Sequence, residues 1–67
     1  MTIELAPPPP RFIHGESVEV MDAPRQHWYG KIQSSKWVGG VCEWYYVIEN
    51  QMNGETTVRR EANLMKM

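Results

Sequence analysis

Three side chains of this sequence carry soft-ligand or nucleophilic chemistry: His14, His27 and Cys42. A metal site or a thiol–imidazole pair would need them to converge. Their places argue against that, since His14 precedes the first expected strand, His27 opens the second, and Cys42 lies in an apolar run. A nucleophilic thiol also needs partial exposure and an electropositive neighbourhood. Cys42 is expected instead to be an inert buried thiol on the core side of a strand, since free Cys packs as a small hydrophobe. No nucleophile elbow, no glycine-rich phosphate loop and no zinc-ligand spacing occur. The sequence therefore predicts no enzyme, no cofactor and no metal.

The chemistry that remains is aromatic. In the stretch RQHWYGKIQSSKWVGGVCEWYYVIE, residues 25–49, Trp28-Tyr29 and Trp44-Tyr45-Tyr46 are adjacent. Neighbours along a strand point to opposite faces, so each cluster must send at least one ring outward. A large aromatic left outside a small domain marks a contact surface, because Trp and Tyr carry much of the energy of interfaces. With the nearby cations, the candidate binding face is Tyr29, Lys31, Lys36, Trp37, Tyr45 and Arg59. Trp28, Trp44, Tyr46, Val18, Val20, Ile32, Ile48, Val58 and Leu64 are the expected core.

The elements that must position these residues are β throughout. ESVEVMD alternates, with Val18 and Val20 on one face. Pro24 then interrupts the pairing. WYGKIQSSKWV gives a second strand with Trp28, Gly30 and Ile32 on one face and Tyr29, Lys31 and Gln33 on the other. Gly30 between aromatics suggests a bend or a close backbone approach, and a bulge near Gly30 or Ser34-Ser35 would exchange the faces beyond it. Gly39-Gly40 forms a hairpin turn because both residues tolerate positive φ. VCEWYYVIE is the third strand, with Cys42, Trp44, Tyr46 and Ile48 on one face. Asn53-Gly54 turns the chain again. ETTV is a short fourth strand, a single 3-10 turn falls near residues 59–63, and LMKM closes as a fifth. No apolar period of 3.6 persists beyond one turn, so no long helix is expected.

Residues 1–11 form a leader. Pro7 to Pro10 lack amide donors and hold φ near −65°, which favours polyproline II. APPPPRF has the look of a ligand for proline-recognising grooves. It also suits a stiff tail, or a segment lying across its own domain and covering the aromatics.

At 67 residues the chain is one small domain, burying only ~60% of its unfolded surface. With one cysteine no internal disulfide can form, so the reducing cytoplasm is the expected compartment. Seven Lys+Arg against eight Asp+Glu leave a net charge of −1, which gives no basic footprint for nucleic acid. Arg59 and Arg60 can pair with Glu55 and Glu61 as a solvated face. No apolar stretch approaches the ~20 residues of a membrane span.

Five short strands within residues 12–67 must hide their edges. HGESVEV, HWYGKI, WYYVIE and TTVRREANL together resemble the Tudor/KOW-type SH3-like barrels over Gly15 to about Met65. The resemblance implies an all-β, five-stranded SH3-like barrel, and three kinds of function. In size and strand layout the chain is also similar to small photosynthetic electron-transfer proteins, such as the free-standing barrel component of photosystem I. That likeness implies a non-catalytic module docking on a larger protein assembly. A Tudor-type reader would build an aromatic cage from Tyr29, Trp37 and Tyr45, with Glu43 as countercharge to a methylated cation. A KOW-like nucleic-acid binder would use Lys31, Lys36, Arg59 and Arg60 on phosphates and stack Trp37 or Tyr45 on a base. GKIQSSKW resembles the type II dihydrofolate reductases, but their Val-Gln-Ile-Tyr stretch is missing. Thr57-Val58-Arg59-Arg60 stands there, and its arginines would repel in a shared pore. The expectation is a protein-interaction module whose partner is another protein, with nucleic acid as the alternative, no membrane contact, and a monomeric or weakly self-associating state.

Overall fold

The structure, a computed structural model, describes residues 6–23 and 26–67. The expected break at Pro24 and the first five residues of the leader lie outside them. The described chain is all-β: β1 (Ser17–Ala23), β2 (Gln26–Val38), β3 (Glu43–Asn50), β4 (Thr56–Arg60) and β5 (Leu64–Lys66), with a 3-10 turn at Glu61–Asn63 between the last two. They form one antiparallel sheet in the order β4-β3-β2-β1-β5. No helix is long and apolar enough to cross a membrane among the described residues.

The inner face follows from the ladder, because residues directly opposite one another in an antiparallel pair share a side. Val18 faces Gly30, Val20 faces both Trp28 and Leu64, and Ile32 faces Ile48. These aliphatics, with Tyr46 and Phe12, are the buried core, and Trp28 and Trp44 pack against it only partly buried. Two core assignments are thus corrected. Val58 is 54% exposed, because it faces Val47 across β3–β4 and shares that residue's outer side. Phe12, which precedes the strands, is fully buried. Its ring meets Tyr46 edge to face at 5.4 Å, 77° between planes, a favoured aromatic geometry.

The β2–β3 hairpin also departs from expectation at its tip. β3 begins at Glu43, and the turn spans residues 39–42. The left-handed residue there is Cys42, φ 53°, while neither Gly39 nor Gly40 has positive φ. Cys42 is therefore exposed, not buried, and Val41 beside it is 55% exposed. A four-residue turn takes up Val41 and Cys42, of which strand alternation had assigned Cys42 inward. The Asn53-Gly54 turn holds, with Gly54 at φ 73°.

One bulge decides the rest. Ile32 opposes Ile48, but Ser34 opposes Val47, so Gln33 is an extra residue in β2. Beyond it the faces exchange. Lys36 pairs with Tyr45 on the outer side, and Trp37 pairs with Trp44 on the inner side.

The sheet curls enough for β4 to reach β1, three strands away in the order. Arg59 Nε and Nη2 donate to the two Asp22 carboxylate oxygens at 2.6 and 2.9 Å. Trp28 Nε1 donates to the same carboxylate at 2.8 Å, and the guanidinium sits 5.8 Å from the centre of the Trp28 ring. The Arg59 hydrogen bonds hold the Asp22 carboxyl down at about 2, desolvation opposing and Trp28 assisting. A carboxyl depressed below its unfolded value of ~3.9 adds stability above that value and loses it as pH falls. The domain should therefore lose stability progressively from pH ~4 to ~2 through this group. Urea midpoints of wild type and Asp22→Asn should differ at neutral pH and converge in that window; a gap unchanged down to pH 2 would exclude the linkage.

Candidate functional site

The six residues expected to form one binding face are divided between two. Tyr29, Lys31, Lys36 and Tyr45 are on the outer side of the sheet, as the ladder requires. Tyr29 and the two lysines are exposed, and Tyr45 is half-buried between Lys36 and Arg60. Trp37 is on the inner side, carried there by the Gln33 bulge. Arg59 is also inner, opposite Tyr46, and is engaged by Asp22 rather than by Glu55 or Glu61. Arg60 pairs with Glu43 at 3.7 Å. Tyr29, Trp37 and Tyr45 consequently do not line one cage.

What the structure brings together is on the inner side, at the open end of the sheet. Trp37 and Trp44 pack against each other with ring centroids 5.6 Å apart and planes tilted by 60°. The leader lies against them, and Trp44 Nε1 donates a 2.8 Å hydrogen bond to the carbonyl of Pro8. A proline run offers carbonyl acceptors and no donors, so an indole N–H is the complementary group. A cleft of 280 Å³ opens beside this contact, bordered by Pro8, Arg11, Trp37, Glu43, Trp44 and Glu61.

The leader's exit is fixed by Tyr46. Its hydroxyl accepts from the amides of Arg11 and Phe12 at 3.0 and 3.4 Å and donates to Glu61 Oε2 at 2.6 Å. Burial, and then the carboxylate of Glu61, push this phenol up to about 12, so it stays a neutral donor at any ordinary pH. The segment continues into a turn tied to β2 by Gly15 N to Ile32 O, 2.7 Å, and Ile32 N to Glu16 O, 2.9 Å. From Phe12 onward the chain is built into the domain, whereas Ala6 to Pro9 remain exposed.

A second groove, 190 Å³, runs over the outer side past Ser34, Lys36, Val38, Tyr45, Val47 and Val58. Among the described residues no group of three or more His, Cys, Asp or Glu side chains could hold a metal ion.

Pro8, Arg11, Glu43, Trp44 and Glu61 are absent from the sequence-derived binding face. The signal that could have found them was APPPPRF itself, which has the look of a proline-groove ligand, in the same chain as three tryptophans. No family model, curated protein or solved structure gives a significant match to this chain.

Proposed function

We propose that the protein is a non-catalytic interaction module that binds extended proline-rich segments of other proteins on the Trp37–Trp44 pair. The observation that carries this reading is the 2.8 Å hydrogen bond from Trp44 Nε1 to the Pro8 carbonyl, beside the Trp37 ring packed on Trp44. Polyproline II segments dock in aromatic-lined grooves because their conformation is already formed and their carbonyls project from it. The chain's own leader supplies an example of such a segment in place. A closed SH3-like barrel is the architecture that fits the curled five-stranded sheet, and docking on a larger assembly is the role that fits the surface.

A peptide of residues 6–11, added to the isotope-labelled protein, should move the indole N–H resonances of Trp37 and Trp44. Trp44→Phe keeps a ring and removes the donor. It should weaken peptide binding about tenfold, the equivalent of one hydrogen bond of ~1.4 kcal/mol, with little change in melting temperature. Unchanged affinity would remove the basis of the reading. The nucleic-acid alternative retains four of its candidates, Lys31, Lys36, Tyr45 and Arg60, on one outer side. Salt-sensitive shifts confined to those four with a single-stranded oligonucleotide would favour it instead.

A further inference from the structure

The leader divides sharply in how it is held. Arg11 and Phe12 are locked by two amide hydrogen bonds to Tyr46 and by full burial of the Phe12 ring. Ala6 to Pro9 are exposed, and among the described residues Trp44 to Pro8 is the one hydrogen bond that holds them. One such bond contributes only about 0.5–1.5 kcal/mol net. Even with the leader in place, the cleft beside it leaves 280 Å³ open. The segment thus lies on the aromatic pair without filling its site.

Charge marks what else the cleft accepts. Polyproline II repeats every three residues, so Pro8 and Arg11 fall on the same side of the segment. Arg11 borders the cleft together with Glu43 and Glu61. No carboxylate closes on the Arg11 guanidinium among the described residues, and its carbon lies 5.4 Å from the centre of the Phe12 ring.

We infer that the leader is a displaceable internal occupant of the Trp37–Trp44 cleft, and that the partner segment it gives way to has the same chemistry: a proline run with a basic residue three positions after the proline that Trp44 grips. This rests on the peptide-binding reading above. Because the leader is tethered, it competes at a high effective concentration, and the apparent affinity for an outside segment is reduced by the fraction of molecules with the leader released.

The test uses the full chain. A fluorescent peptide, Ala-Pro-Pro-Pro-Pro-Arg, is titrated by anisotropy into wild type and into the triple variant Pro7→Gly, Pro8→Gly, Pro9→Gly, whose arm no longer prefers the extended helix. If the leader is released about one-tenth of the time, the variant should bind about tenfold tighter. The Trp44 indole N–H should also shift in the variant before any peptide is added. A peptide with Glu in place of Arg should bind the variant more weakly. Equal affinity of wild type and variant would overturn the internal competitor while leaving the peptide-binding function standing. Equal binding of the Arg and Glu peptides would overturn the basic preference. Binding to neither protein would remove the function and this inference together.

Discussion

Phe12→Ala is expected to cost about 4 kcal/mol, the middle of the range for removing a buried phenylalanine ring. A 67-residue domain has a total stability of only ~3–10 kcal/mol at the usual per-residue value. The variant should therefore melt ~16–32 °C lower, at ~4–8 °C per kcal/mol for a domain this small, or be unfolded at room temperature. The size of the effect comes from the residue's position. Phe12 is fully buried, packs edge to face on Tyr46, and its own amide is one of two donors to the Tyr46 hydroxyl. Losing the ring opens a cavity beneath the residue that fixes the leader. A chemical-denaturation curve displaced by less than ~1 kcal/mol, the scale of an ordinary surface change, would show that the segment before β1 is not part of the core.

Gly30→Ala should be nearly as damaging, for a different reason. A Cβ at this position would lie 2.5 Å from Ile48 Cγ2 and 2.6 Å from the backbone oxygen of Glu49. Gly30 has no positive φ, so the objection is to volume and not to backbone conformation. The side-chain contact can rotate away, but the carbonyl belongs to the neighbouring strand, and moving it opens the β2–β3 ladder. Overpacking of this kind costs up to ~3 kcal/mol, a fall of ~12–24 °C in melting temperature. Gly40→Ala is the control, because nothing lies within 4 Å of its added Cβ. It should melt within ~4 °C of wild type, an effect of about half a kcal/mol. Similar melting temperatures for the two variants would mean that the close approach at Gly30 does not exist.

The strand count, the turn at Asn53-Gly54, the 3-10 turn and the inward Val18, Val20, Ile32, Tyr46, Ile48 and Leu64 were all legible in the sequence. Period-two alternation and turn residues act locally, and these elements obey them. The errors cluster where a local rule meets a long-range one. Val58 is apolar in a strand, yet its side is set by pairing with Val47. Cys42 sits in an apolar run, yet the hairpin needed a left-handed residue and used it. Arg59 is expected on the binding face or paired with Glu55 or Glu61, yet the curl of the sheet delivers Asp22, 37 residues away in sequence. The proposed binding site was hidden for the same reason. Pro8 and the Trp44 that receives it are separated by 36 residues, and no spacing rule joins them.

The Gln33 bulge gives β2 something like a reading frame. Trp28 and Trp37 stand an odd number of positions apart and still share a side, because one residue between them is skipped. What sets the facing of this part of the chain is thus the skipped residue more than the composition. Any polar side chain at position 33 leaves the frame intact. Deleting Gln33 would only restore plain alternation and leave Trp37 opposite Trp44. Were Gln33 paired with Val47 instead of skipped, Trp37 would turn out to solvent and Lys36 in against Trp44, a spatial frameshift that keeps every letter downstream and reverses what each one means.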